Sequence, residues 1–144
     1  MNEDLRRAQH LLEEGDYTCV LCKGDNIKTC TARGIRPLME LLDTGDWANF
    51  SAADKVVGKA TAFLYVLLRV RAVYTPVASE SAVQILKAHG IELFCDLTVP
   101  AIFNRDRTGF CPMESAVREI EDPQTALLAI RAAQARLRQL SQNS

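Results

Sequence analysis

Residues able to do chemistry occur in two polar stretches, and the first of them surrounds the start of the most apolar run in the chain. It contains Asp54, Lys55, Gly58 and Lys59. The two lysines are spaced i and i+4, which places both on one face of a helix. The N-terminus of a helix carries positive potential and free amide groups, so this arrangement favours a phosphate or carboxylate ligand. The structural alternative is that Lys55 extends into solvent, Lys59 pairs with Asp54 or another acid, and Gly58 serves close approach or simple packing.

The second stretch is a polar loop that contains Asn104, Arg105 and Asp106. Arg105 can clamp an anion in a bidentate manner, while Asn104 and Asp106 can hydrogen-bond hydroxyl groups. Loops that follow a strand are where α/β proteins commonly place ligand contacts. Asp and Asn are also common in turns, and Arg105 can simply pair with Asp106. Both interpretations of this loop stay open at the level of sequence.

Cys111 is the best candidate nucleophile in the chain. It stands directly before Pro112, at the N-cap position of a predicted helix, where a thiolate is favoured. If the protein is an enzyme, Asp54, Asp106 or Glu114 can act as acid or base, with the lysines stabilising negative charge. Glu114 in a first helical turn is also explained as a partner of the helix dipole.

The cysteines argue against a disulfide framework and against a metal site. There are five, an odd number, in a chain without an export signal, so free thiols are expected. Cys19 and Cys22 form a CxxC, but they lie in a predicted strand, where side chains three positions apart point to opposite faces. A zinc site would need two further ligands, and no second CxxC or pair of histidines occurs. We therefore expect buried strand cysteines, no metal and no cofactor.

Composition and charge limit the class of protein and its partners. A chain of 144 residues suits a single domain, and 17 Lys+Arg against 18 Asp+Glu leave a net charge of −1. No basic field therefore favours nucleic acid. The N-terminal stretch carries charge where a signal peptide would be apolar, and the apolar run from residue 56 is too short and broken to span a bilayer. We expect a cytoplasmic protein that has a small anionic molecule as ligand and no membrane partner.

Hydrophobic periodicity and turn residues predict alternating helices and strands, which indicates a helix-covered sheet of the α/β class. The pair Ser51 and Asp54 resembles a capping box and predicts that a buried central helix begins near Ala52. Pro76 is expected to end the strand that follows this helix. The predicted helices cover residues 3–14, 37–43, 52–68, 79–89, a segment from 112 onward and 123–140, and the predicted strands cover 17–23, 27–31, 70–75, 91–97 and 100–103.

The last predicted helix, over 123–140, has an apolar face of its own. This face is formed by Leu127, Ile130, Leu137 and Leu140. It is expected to pack on the domain or on a second subunit, so a homodimer is one expectation. The arginines of this helix are interpreted as a solvated face, because no aromatic residues that would stack on bases lie between them.

Two stretches of the sequence carry a family resemblance. The order strand, Pro, helix and strand in VYTPVASESAVQILKAHGIEL resembles the cytidine-deaminase-like fold. DKVVGKATAFLY together with NRDRTGFCPME resembles the domain of unknown function 1893, a bacterial family. The resemblance covers about residues 15–125. It implies a three-layer α/β/α fold, with a mixed five-stranded sheet and a buried central helix.

The residues that zinc-dependent deaminases need are absent. That pattern places a His or Cys and a Glu at the start of the buried helix and a P-C-x-x-C at the start of the next. The first position here holds Gly58, Lys59 and Ala60, and the second includes Ser79 and Ser81. Serine hydroxyls bind zinc poorly, so we expect no zinc-dependent deamination. The resemblance implies the scaffold and a pocket between the two helix N-termini, with Ser79 and Ser81 among its ligand contacts.

The leading hypothesis is a zinc-independent protein of the deaminase fold that binds a small anionic, nucleotide-like ligand. Whether it catalyses a reaction is left open. The alternative hypothesis is a non-catalytic sensor or protein-interaction module on the same scaffold.

Overall fold

The computed structural model of the protein describes residues 1–102 and 111–142, which form an open sheet of six strands with helices on both faces. The helices are α1 (Glu3–Glu14), α2 (Arg36–Thr44), α3 (Lys59–Leu68), α4 (Glu80–Ala88), α5 (Pro112–Val117) and α6 (Pro123–Gln142). The strands are β1 (Cys19–Lys23), β2 (Asn26–Cys30), β3 (Ser51–Asp54), β4 (Val56–Val57), β5 (Ala72–Ser79) and β6 (Glu92–Val99).

The sheet is mixed. The β1–β2 hairpin and the β1–β3 pair are antiparallel, whereas β3, β4 and β6 all run parallel to β5. β6 pairs along the whole of β5, so β3 and β4 follow one another along its other edge. Lys55 separates β3 from β4. The sheet has six strands instead of the predicted five, because β3 and β4 lie in a segment predicted as helix and the strand predicted at 100–103 is not among the six.

Each face of the sheet has its own hydrophobic core. Val20 and Cys22 pack with α1, while Cys19 and Leu21 pack on the opposite face with α3 and its neighbouring helices. All four side chains are buried, as the alternation of side chains along a strand requires. The prediction that the two CxxC cysteines are buried strand residues on opposite faces is thereby confirmed.

The predicted start of the central helix is wrong. Ser51–Asp54 is strand β3, which lies between β1 and β5, and α3 begins at Lys59. Ala52 and Ala53 are fully buried there, and the Ser51 hydroxyl donates to Asn2 Oδ1 at 3.2 Å instead of capping a helix. Pairing with two distant strands and burial of the small side chains therefore outweigh the local capping signal.

The predicted end of the following strand is also wrong, because β5 continues through Pro76. β3 pairs with β5 up to Tyr74 and β4 pairs from Val77 onward, so Pro76 lies opposite the interruption at Lys55. A residue without an N–H group fits a position where a neighbouring strand is interrupted. The strand predicted over 100–103 is not formed at residues 100–102, and residue 103 lies outside the described ranges.

Local signals gave several elements correctly. α1 covers the predicted range, and Asn2 caps it by accepting from the Leu5 amide at 2.7 Å. Asp122 caps α6 by accepting from the Thr125 amide at 2.8 Å.

Along α6, Ile130 is fully buried, but Leu137 and Leu140 are 42% and 66% exposed, so the predicted apolar face is only partly covered by the domain. No helix among the described residues is long and apolar enough to cross a membrane.

Candidate functional site

A cavity of about 780 Å³ opens where β3 ends and α3 begins. Five residues singled out in the sequence line it together: Asp54, Lys55, Gly58, Cys111 and Glu114. The first three belong to the β3–α3 segment, and the last two come from the start of α5. The fold thus joins parts of both polar stretches in one cavity. Its further polar lining comes from Asp16, Thr18, Thr31, Arg33 and Thr61.

Asp54 is the most strongly perturbed carboxyl in this cavity. It is the last residue of β3, and its carboxylate accepts a hydrogen bond from the Tyr65 hydroxyl at 2.6 Å. Burial raises the Asp54 pKa from 3.8 to about 6, while hydrogen bonds from Tyr65 and from the Val56 and Lys55 amides act in the opposite direction. A carboxyl group that titrates this close to neutrality is suited to general acid–base chemistry.

Glu114 caps the buried helix from a distance of more than fifty residues in sequence. Its Oε2 accepts from the Lys59 amide at 3.0 Å, and its Oε1 accepts from the Ala60 amide at 3.3 Å. Burial raises the pKa of Glu114, and these amide hydrogen bonds partly offset the effect. The positive end of α3, predicted to attract an anion, is thus occupied by a carboxylate of the protein itself.

Gly58 makes this contact sterically possible. A Cβ atom at position 58 would overlap the Glu114 carboxylate and would lie 3.2 Å from Cγ1 of Ile102. The φ of Gly58 is −96°, which any residue can adopt, so the requirement for glycine is one of space. Of the two sequence interpretations of Gly58, the structure supports close approach.

Lys59 lies away from the main cavity and has partners within the protein. It is the first residue of α3 and is only 6% exposed. Its Nζ donates to the Arg118 carbonyl at 3.1 Å and pairs with Glu121 at 3.4 Å. The structural alternative from the sequence therefore describes Lys59 best, with Glu121 as its acid in place of Asp54. Lys59 lines a separate cavity of about 380 Å³ together with Ser81 and Glu114.

Two exposed cations lie at the main cavity instead. Lys55 lies between β3 and β4 and not on a helix, so its predicted i, i+4 relation to Lys59 on a helical face is wrong. Arg33, in the loop after β2, lines the same cavity. Sequence reasoning missed Arg33, because nothing in a single loop arginine shows that its loop folds against the β3–α3 segment.

Cys111 occupies the position predicted for it. It is the N-cap residue of α5, it is partly buried, and its side chain makes no capping hydrogen bond. Its backbone N–H donates to the Ile102 carbonyl at 3.3 Å, which fixes the start of α5 against the residues after β6. The thiol therefore lines the cavity from a position held by the backbone.

The two predicted serine contacts have different roles in the structure. Ser79 is only 1% exposed and caps α4, where its hydroxyl accepts from the Ala82 amide at 3.1 Å. The Ser81 hydroxyl lies 3.2 Å from the Ser79 hydroxyl, and Ser81 lines the smaller cavity with Lys59. The predicted contacts Asn104, Arg105 and Asp106 lie outside the described residues. Within the described ranges, no group of three or more His, Cys, Asp or Glu side chains is arranged to hold a metal ion.

A Ser79→Ala substitution should lower the free energy of unfolding by about 1 kcal/mol, because it removes a helix cap. Gln84→Ala is the matched control, since Gln84 is an exposed polar residue of the same helix and is not its cap residue. Urea unfolding of both variants measures the difference. Equal effects would contradict the assignment of Ser79 as a structural cap.

The fold and the cavity define an α/β protein with an open mixed sheet and a small-molecule-sized cavity at the start of its buried helix. The chain belongs to the family of the domain of unknown function 1893, whose model matches residues 7–133. A solved structure of a protein of this family from Thermotoga maritima is similar, with 25% sequence identity and a TM-score of 0.82. The match covers 94% of this chain and 92% of that chain. No curated protein matches the chain.

Proposed function

We propose that the protein binds a small anionic, nucleotide-like ligand in the main cavity, without zinc. The observation that carries the proposal is the convergence of Asp54, Cys111 and Glu114 in one cavity that also has Lys55 and Arg33 in its lining. Its volume, about 780 Å³, lies within the range of small-molecule sites. The scaffold that we propose for this site is cytidine-deaminase-like, which the strand–helix–strand order of β5, α4 and β6 and the buried position of α3 support.

Charge divides the proposed site into two parts. Lys55 and Arg33 are exposed, so they suit the phosphate or carboxylate of a ligand that still contacts water. Asp54 and Glu114 are partly buried, so they suit hydrogen-bond donors such as sugar hydroxyls or base amino groups. A ligand with an anionic end and a donor-rich neutral end matches this arrangement, and a nucleoside monophosphate has both parts.

A reaction at this site would use groups that already share the cavity. The Cys111 thiol is the nucleophile in our proposal, and the Asp54 carboxyl, with its pKa of about 6, transfers protons. The competing proposal is a non-catalytic sensor. It is favoured by Glu114 filling the end of α3 and by Lys59 being tied to Glu121, because two of the groups predicted to act on a ligand are held in structural contacts.

A thermal-shift experiment with three probes tests binding. Nucleoside monophosphates should stabilise the protein more than the corresponding nucleosides or inorganic phosphate, because only they engage both parts of the site. At a concentration one hundred times Kd, binding to the native state stabilises it by about 2.7 kcal/mol. The stabilisation should be lost or strongly reduced in Lys55→Ala and Arg33→Ala.

Lys87→Ala is the matched control, because Lys87 is exposed and lines a different groove. Stabilisation that is unchanged in the Lys55 and Arg33 variants would contradict the proposed site. A lack of stabilisation by every nucleoside monophosphate would contradict the ligand class. If a probe binds, the rate of alkylation of Cys111 separates the two proposals, since an ordinary thiol rate would leave the nucleophile without support and favour the sensor.

A further inference from the structure

A row of three reactive side chains crosses the sheet beside the main cavity. In the strand register, Cys30 of β2 lies opposite Cys19 of β1, and Cys19 lies opposite Asp54 of β3. Directly opposed residues on neighbouring strands point to the same face of a sheet, which here is the face covered by α3. Tyr65 reaches the row from α3, since its hydroxyl donates to Asp54 at 2.6 Å.

The two cysteines are placed for bond formation. Opposed residues of an antiparallel pair have Cβ atoms about 4.5 to 5.5 Å apart, and a disulfide needs about 3.5 to 4.5 Å. Only a small approach of the strands is required, and β2 is an edge strand that pairs with β1 alone among the described strands. Cys19 and Cys30 also belong to the same cluster of buried side chains.

The chemistry of the pair is asymmetric. The neighbouring Cys19 thiol lowers the pKa of Cys30, while the neighbouring Cys30 thiol and burial raise the pKa of Cys19. Cys30 is therefore the thiol of the pair that ionises more readily, and thiolates are the reactive form. Cys30 also keeps 8% of its surface exposed, against 2% for Cys19, and is the last residue of β2. Cys30 is therefore the more accessible of the two thiols.

We propose that Cys19 and Cys30 are a redox-modification site that closes to a reversible disulfide when the protein meets a peroxide. The Cys30 thiolate attacks one peroxide oxygen and breaks the O–O bond, which gives a sulfenic acid at Cys30 and, after protonation, water. The Cys19 sulfur then attacks the Cys30 sulfur and forms the S–S bond. Hydroxide leaves and takes the Cys19 proton as a second water, so two thiols are oxidised and one hydrogen peroxide is reduced. A dithiol reductant reverses the step by thiol–disulfide exchange.

This inference is independent of the proposed function, because it uses neither Cys111 nor a ligand. The row nevertheless ends at Asp54, which lines the main cavity. The cysteine pair therefore lies next to the candidate site.

Peptide mass spectrometry of the full chain tests the proposal. The protein is treated with hydrogen peroxide, its remaining free thiols are alkylated, and it is digested with trypsin, which places Cys19 in the peptide 8–23 and Cys30 in the peptide 29–33. We expect these peptides to become cross-linked with the loss of two hydrogen atoms in most molecules. Dithiothreitol should restore both free thiols.

Variants identify which sulfur atoms are joined. Cys22→Ser is the matched control, because Cys22 shares the tryptic peptide of Cys19 but lies on the opposite face, so the cross-link should persist at the wild-type level. Cys19→Ser and Cys30→Ser should each abolish it. The wild-type and Cys22→Ser measurements decide the question even if either of these variants fails to fold. Oxidation of Cys30 to sulfinic acid without a cross-link, a cross-link through another cysteine, or unreacted Cys19 and Cys30 beside oxidised Cys95 or Cys111 would each overturn the proposal.

Discussion

The unfolding free energy of the wild-type protein should fall, relative to that of an Asp54→Asn variant, by on the order of 3 kcal/mol as the pH rises from about 4 to about 7. The Asp54 pKa is raised from 3.8 to about 6 in the folded protein, so the folded state binds more protons than the unfolded state between these values. Raising the pH through this window therefore favours unfolding. The contribution of the protonated carboxyl is fully present below about 3.8 and is lost once the pH passes about 6.

Comparison with the Asp54→Asn variant isolates this effect, because the amide that replaces the carboxyl binds no proton and the remaining carboxyl groups contribute equally to both proteins. Urea unfolding at several pH values gives the difference directly. Asp96→Asn is the matched control: Asp96 also accepts a tyrosine hydroxyl, from Tyr74 at 2.7 Å, but it is exposed. If the unfolding free energy of the wild type relative to Asp54→Asn stays constant or grows with pH, the pKa of Asp54 is not raised in the folded protein.

Removing the contact between Glu114 and the start of α3 should lower the free energy of unfolding by about 1 to 2 kcal/mol, the cost of losing a helix cap. Glu114→Ala does so directly by leaving the Lys59 and Ala60 amides without their acceptor. Gly58→Ala does so indirectly, because the new methyl group would occupy the position of the Glu114 carboxylate. The carboxylate is the far end of a flexible side chain, so it can swing away, and the cap is then lost.

A double-mutant cycle tests whether the two substitutions act on one contact. Because each removes the same pair of hydrogen bonds, the double variant should be little less stable than either single variant. Glu119→Ala is the matched control, since Glu119 is an exposed glutamate close in sequence and should have little effect. Additive losses in the cycle would show that Gly58 is needed for a reason other than the approach of Glu114.

Elements that depend on local signals could be predicted from the sequence. The approximate ranges of α1, β1 and β2 each depend on residues within a few positions of one another, so their physical causes are visible in a short window. The burial of Cys19 and Cys22 on opposite faces of β1 followed from the two-residue period of side chains along a strand. The helix-covered α/β sheet followed from the order of these elements.

Elements that depend on distant partners could not be predicted. Ser51–Asp54 has a capping signal, but it becomes a strand because β1 and β5 offer it partners on both sides. Lys59 looked available to a ligand, yet Glu121 pairs with it from sixty-two residues away. The same holds for Arg33, since its place at the cavity does not follow from spacing along the chain.

The charge at the start of the buried helix is the point where structure most changed the prediction. The sequence predicted that two lysines and the N-terminus of the helix bind an external anion. The structure places Glu114 at that helix end and leaves Lys55 with Arg33 as the cations available to a ligand. The proposed anion site has therefore moved from the helix end to the exposed part of the cavity.

A crystal structure of the protein with a bound nucleoside monophosphate would locate the ligand. We expect the phosphate within hydrogen-bond distance of Lys55 or Arg33 and the nucleoside in the main cavity, in contact with Asp54. Binding of the nucleoside monophosphate in the smaller cavity beside Lys59, or with its phosphate at the Lys59 and Ala60 amides in place of Glu114, would contradict the proposed site.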